Sequence, residues 1–190
     1  MINADGWLHG VRRVPSPNFD ERPAGMPVEL LVIHAISLPP GRFGGPWIDD
    51  LFCNRLEPQA DPFFAGIAAL RVSSHLLIRR DGELVQYVAL GKRAWHAGAS
   101  EWQGRGACND FSIGIELEGC DEVAYEEAQY RTLLPLLAAL RGHFPQIRAD
   151  AVVGHCDIAP GRKSDPGPYF DWARVRSSMW ADSSAEQHHL

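Results

Sequence analysis

Phe111-Ser112-Ile113-Gly114-Ile115-Glu116-Leu117-Glu118 is the stretch whose reading decides the fold class. Ile113, Ile115 and Leu117 alternate with Gly114, Glu116 and Glu118, the period of a half-buried β-strand whose polar face carries two carboxylates. Outward from it, Glu29-Leu30-Leu31-Val32-Ile33-His34 reads as a buried strand that delivers His34 at its end, because the run is short, apolar and partly β-branched. Ser74 to Arg79 and Leu84 to Leu90 flank Arg80-Asp81-Gly82-Glu83, where Asp-Gly supplies the positive φ angles of an antiparallel hairpin. Ala151-Val152-Val153-Gly154 is a further short strand ending at His155. Tyr125 to Phe144 carries Leu133, Leu136, Leu137 and Leu140 at helical spacing behind a Glu-rich first turn, with Pro135 as the point where that helix would kink. Pro39 to Pro46 holds too many chain breakers for regular structure, and a short helix is expected near Trp172 to Met179. Strands and helices mixed in this order predict an α/β (α+β) architecture, a mixed central β-sheet flanked by helices. Residues 1–180 form the single domain, and 181–190 a flexible C-terminal tail.

Length and composition narrow the function. A chain of 190 residues, 45% hydrophobic and 22% charged, is suited to one compact core that buries roughly 70% of the unfolded surface. A net charge of −6 argues against nucleic acid or an anionic lipid surface as partner. The N-terminal thirty residues contain no apolar run long enough for a signal-peptide core, and no stretch is long enough for a membrane span. Cys53, Cys108, Cys120 and Cys156 lie far apart with no C-x-x-C pair, as expected of free thiols in a reducing compartment. The expectation is a cytoplasmic, monomeric bacterial protein without nucleic-acid or membrane partners.

Catalytic zinc takes three protein ligands and leaves a fourth position for water. His155-Cys156-Asp157 through Lys163-Ser164-Asp165-Pro166 packs a histidine, a lysine and carboxylates into one proline-stiffened loop. Pro166 restricts Asp165 to extended geometry, so its carboxylate can be held in one orientation. Cys156 competes as a ligand, but adjacent strand residues point to opposite faces, which favours Asp165 beside His155. His34, from a different buried strand, is the natural third ligand. Of the remaining histidines, His75 reads as a hydrogen-bonded strand residue, and His9, His143, His188 and His189 as solvated surface.

Several motifs extend this reading. Val32-Ile33-His34, Ile36 to Gly41, Phe43 to Asp49, Arg93 to Gly98, Cys108 to Gly119 and Gly154-His155 through Trp172 closely resemble the AmpD family of 1,6-anhydro-N-acetylmuramyl-L-alanine amidases. The resemblance covers about Gly6 to Arg176 and implies an amidase fold shared with phage T7 lysozyme and peptidoglycan recognition proteins. It also implies one Zn2+ per chain held by His34, His155 and Asp165, with Glu116 and Lys163 completing the catalytic set. Periodicity alone does not separate Glu116 from Glu118; the resemblance selects Glu116.

Those residues suit amide hydrolysis. Two neutral imidazoles and one carboxylate leave a zinc ion net positive, Glu116 can shuttle a proton, and Lys163 can face an oxyanion. The implied substrate is a small muropeptide, an anhydromuramic acid amide-linked to L-Ala of the stem peptide, whose recycling bears indirectly on β-lactamase induction. Such a ligand calls for a guanidinium and an aromatic platform. Arg71 leads Arg79, Arg80, Arg93 and Arg105 for the first role, and Trp95 leads Phe64 and Trp102 for the second, with His96 beside it. Ala35, where the family usually has Asn, and Gly106-Ala107, where charged residues are common, predict altered substrate contacts with the chemistry retained. The alternatives are a non-catalytic peptidoglycan-recognition module and a zinc peptidase cutting within the stem peptide.

Overall fold

The computed structural model describes residues 2–185. Among these described residues ten strands follow in chain order: β1 (Arg12–Arg13), β2 (Phe19–Asp20), β3 (Leu30–Ile36), β4 (Leu76–Ile78), β5 (Leu84–Gln86), β6 (Arg93–Ala94), β7 (Glu101–Trp102), β8 (Arg105–Gly106), β9 (Ser112–Glu118) and β10 (Val152–Gly154). The helices are α1 (Trp47–Phe52), α2 (Glu127–His143), α3 (His155–Ile158) and α4 (Trp172–Ala185). Six strands make the central sheet in the order β1-β5-β4-β9-β3-β10, while β2-β6 and β7-β8 form small antiparallel pairs. The sheet is mixed: β4 and β5 run antiparallel, and β4, β9, β3 and β10 run parallel to one another.

β9 corrects the expectation of a half-buried strand, since all seven of its residues are buried. It lies between two parallel neighbours, and a parallel sheet is covered on both faces. On one side Ile113, Ile115 and Leu117 share an apolar cluster with Leu133, Leu136, Leu137 and Leu140 of α2 and with Val175 of α4. On the other, Leu77 and Val85 pack with Ile48, Leu51 and Phe52 of α1 and with Phe64. α1 was not expected; its six residues start directly after the breaker-rich run and are too few to show a helical period.

The β4-β5 hairpin forms where Asp-Gly placed it. Gly82 adopts φ +89°, and the Asp81 carboxylate accepts from the Glu83 amide at 2.9 Å. Pro135 sits inside α2, which continues through it as one helix. Gln129, fully buried in the first turn of α2, donates to the Ile78 and Glu118 carbonyls and so ties the helix to the ends of β4 and β9. α4 runs on to Ala185, through the first five residues that the sequence assigned to a tail; residues 186–190, with His188 and His189, lie outside the described residues.

Candidate active site

The parallel register sets His34 of β3 directly beside Glu116 of β9, with their side chains on one face. β10, pairing with β3 on its other side, ends at Gly154, so His155 emerges at the same end of the sheet as the first residue of α3. Ligand sites in such sheets lie off the carboxyl ends of parallel strands, and here three neighbouring strands end together. β3 continues two residues beyond His34, so this histidine lies within the strand rather than at its last position.

Three donor atoms meet there. His34 Nδ1 lies 3.0 Å from His155 Nδ1 and 3.2 Å from Asp165 Oδ2, and His155 Nδ1 lies 3.1 Å from the same oxygen. Tetrahedral zinc with bonds of roughly 2.0–2.1 Å sets its ligand atoms roughly 3.3 Å apart, so the triangle has the right size. Its chemistry fits as well. His155 Nε2 faces the Ala97 carbonyl at 3.2 Å, a pure acceptor, so that nitrogen carries the hydrogen and Nδ1 presents a lone pair to the site. Burial keeps His34 a neutral imidazole, lowering its pKa to about 4 against the pull of Asp165. Burial works in the opposite sense on Asp165, yet the two imidazoles beside it hold it below the usual carboxylate range. A set of lone pairs and one carboxylate converging without a committed donor suits a divalent cation.

Glu116 is 8% exposed, and its Oε2 is buried with no hydrogen-bond partner among the described residues. Burial first, then the nearby Asp165 carboxylate, push its pKa well above the ordinary value, with Lys163 opposing. A cleft of about 240 Å³ joins His34, Glu116, His155 and Asp165 to Lys163 and Trp95. A polar concavity of about 440 Å³, walled by Ser37, Asp121 and Arg162, shares Ile36, Lys163 and Asp165 with that cleft. A larger concavity of about 650 Å³ lies around Trp7 and Lys92 and holds none of these residues.

The profile of the N-acetylmuramoyl-L-alanine amidases matches residues 24–168. The 1,6-anhydro-N-acetylmuramyl-L-alanine amidase AmpD of Escherichia coli K12 is 64% identical over 176 residues, 93% of this chain and 96% of that protein. The chain belongs to the N-acetylmuramoyl-L-alanine amidase family. A crystal structure of an AmpD derivative superposes on this amidase with a TM-score of 0.90 at 61% identity, covering 94% of this chain and 99% of the other. The amidase AmiD of E. coli, solved with anhydro-N-acetylmuramic acid-L-Ala-D-γ-Glu-L-Lys, matches at a TM-score of 0.60 and 31% identity over 93% of this chain and 65% of its own.

Other residues singled out in this amidase's sequence fall in different places. Trp95 lines the cleft. Arg71 is exposed between the cleft residues Leu70 and Val72, and its guanidinium turns back onto the Ala69 and Leu70 carbonyls at 3.2 Å. Arg79, Arg80, Arg93 and Arg105 are held in ion pairs with Asp49, Glu126, Asp20 and Glu29, respectively. Phe64 is fully buried in the α1 cluster, and Trp102 lies on β7 beside a separate cavity. All four cysteines are free thiols. Among the described residues no helix is long and apolar enough to cross a membrane. Ala35 lines the cleft, whereas Gly106 pairs with Glu101 in the β7-β8 ribbon and Ala107 takes φ +57° beyond it. The role of Asn109 was missed: its side-chain oxygen accepts from the His96 and Ala97 amides at 3.1 and 2.8 Å, a contact that no periodicity announces.

Proposed function

We propose that this protein is a zinc-dependent amidase that cuts the amide between the lactyl group of 1,6-anhydro-N-acetylmuramic acid and L-Ala of the stem peptide. It would act on small muropeptides in the cytoplasm during cell-wall recycling, and so bear indirectly on β-lactamase induction. The observation that carries the reading is the convergence of His34, His155 and Asp165 beside a buried carboxyl with an unsatisfied oxygen. Its standing as an amidase of this specificity rests on 64% identity to AmpD over nearly the whole of both chains.

His34, His155 and Asp165 would hold the ion. Zinc, when bound, supplies a Lewis acid that acidifies water and polarises the scissile carbonyl. Glu116 takes the proton of the attacking water and returns it to the departing amine; its raised pKa makes the carboxylate a strong acceptor. Lys163, exposed on the wall of the same cleft, brings positive charge to the oxygen on which negative charge develops. Trp95 offers an aromatic surface to the sugar. Arg71 can reach a peptide carboxylate once it leaves its own loop carbonyls.

Incubation with anhydromuramyl tripeptide, followed by product analysis, tests the reaction. Intact stem peptide and free anhydromuramic acid are expected; shortened peptide still joined to sugar would overturn the amidase reading in favour of a peptidase, and no turnover with retained binding would favour a recognition module. His155→Ala is expected to abolish both zinc retention and turnover, measured by metal analysis and assay of the same preparation.

A further inference from the structure

His96, expected beside the substrate, has both ring nitrogens engaged by the protein. Nδ1 lies 2.8 Å from His34 Nε2, and Nε2 lies 3.1 Å from Ser112 Oγ. The ring stands edge-on to His34 with centroids 5.0 Å apart. It can come so close to β9 because position 114 is glycine: a Cβ there would lie 2.5 Å from His96 Cγ. The next residue in the chain makes the corresponding contact to the other imidazole, Ala97 O facing His155 Nε2 at 3.2 Å. Neither backbone amide of the pair is left to water, because Asn109 Oδ1 accepts both. Arg162 adds a second clamp, donating to Ala97 O at 2.8 Å.

We propose that the dipeptide His96-Ala97 is the common outer support of both imidazole ligands, and that Asn109 is a positioning residue that acts on the metal site through it. The inference rests on the metal-site reading above. With the two Nδ1 lone pairs turned to an ion, each Nε2 must carry a hydrogen. His34 then donates to His96 Nδ1, His96 donates to Ser112 Oγ, and His155 donates to Ala97 O, so every bond in the chain has one consistent direction. Outer partners of this kind fix tautomer and ring orientation, and losing one weakens metal affinity by roughly 10- to 100-fold. Both partners sit on adjacent residues held by one carboxamide. Loosening Asn109 therefore disturbs two ligands at once, although it touches neither.

Zinc affinity by chelator competition, on the full-length protein, tests this with two matched pairs. Leu and Asn have nearly the same shape, but only Asn keeps an acceptor where the imidazole Nδ1 stood. His96→Leu is expected to weaken zinc binding by roughly 10- to 100-fold, and His96→Asn to stay within about threefold of the parental protein. Asn109→Ala is expected to weaken it at least about tenfold, with Asn109→Asp, which keeps the accepting oxygen, restoring it. In the cobalt-substituted protein, the visible absorption band of Asn109→Ala should shift, and that of Asn109→Asp should not. Equal affinities for His96→Leu and His96→Asn, or parental affinity in Asn109→Ala, would overturn the proposal; if Asn109→Ala does not fold, the pair at position 96 decides. A parental protein that holds no zinc would overturn the metal-site reading and this inference with it, whereas zinc held equally by all five proteins would overturn the inference alone.

Discussion

Glu116 and Glu118 leave the same face of the same strand and are both buried, at 8% and 2% exposed, yet their surroundings differ in kind. Glu118 is saturated by fixed donors. Its Oε1 accepts from the Gly44 amide at 2.6 Å and from Arg79 Nη1 at 3.4 Å, and its Oε2 accepts from the Arg80 amide at 3.2 Å. Arg79 in turn meets Asp49 of α1, so the carboxylate helps lock the loop before α1 and the β4-β5 hairpin onto the end of β9. Glu116, one strand period earlier, has an oxygen with no partner and a second carboxylate, Asp165, close enough to raise its pKa. Burying a polar group without a partner costs free energy; Arg22 Nε and Ser74 Oγ are also buried without one, and what points Glu116 to chemistry is that its free oxygen belongs to an acid lining the same cleft as His34, His155 and Asp165.

The largest expected effect lies at Glu116. Glu116→Gln should lower turnover by roughly 10²- to 10⁴-fold, the range of a lost proton-transfer group, while zinc affinity stays within a few-fold. Its thermal stability should be equal or higher, because the change removes a buried acid that has no partner. A Glu116→Gln protein that turns over at the parental rate would refute the proton-transfer role. Glu118→Ala should do the reverse. It leaves the Arg79 side chain, 10% exposed, with Asp49 and Glu83 as its remaining partners, and should cost about 3 kcal/mol in urea unfolding with turnover per folded molecule nearly unchanged. A stable but inactive Glu118→Ala would break the division of labour.

This contrast was hidden in the sequence because alternation assigns a face and not a neighbour. Glu116 and Glu118 are equivalent by period, and what separates them is supplied by Gly44, Arg79 and Arg80, residues 38 to 74 positions away from Glu118. The same reason explains what was legible. The long strands β3 and β9, the Asp-Gly hairpin and the leucine stripe of α2 carry their pattern locally, so they could be read directly. Two-residue strands such as β1, β2 and β6 have no period to read, and they exist because longer elements present an edge to pair with. The burial of β9 on both faces followed from its parallel neighbours, which its own residues do not specify. The candidate ligand types stood out as chemistry, a histidine and an aspartate in one stiff loop, and the fold brings them together with His34. The outer support from His96, Ala97 and Asn109 was not, because a backbone carbonyl and a carboxamide have no signature in sequence.

The smallest effect sharpens the comparison among histidines. The Nδ1 atoms of His34 and His155 converge on a shared point, whereas His75, fully buried, has both nitrogens committed to the chain itself. Nδ1 accepts from the Gly114 amide at 3.0 Å, and Nε2 donates to the Lys92 carbonyl at 3.0 Å. Burial, reinforced by the neighbouring Arg22 charge, lowers its pKa from 6.5 to about 3. The sign follows from linkage. Well above pH 6.5 the imidazole is neutral in both folded and unfolded chains, so His75 adds no pH dependence there. As pH falls below 6.5 the unfolded chain takes up a proton that the folded chain refuses, and stability drops until the folded group also titrates near pH 3. One such group removes about 1 kcal/mol between pH 6.5 and 5.5, with a limiting slope of about 1.4 kcal/mol per pH unit. Urea unfolding across that interval, compared between the parental protein and His75→Gln, isolates the contribution: the variant should be less stable overall but should lose about 1 kcal/mol less on acidification. Equal slopes would mean that His75 accepts a proton in the folded state, and that its two hydrogen bonds do not hold it as the neutral structural counterpart of His34 and His155.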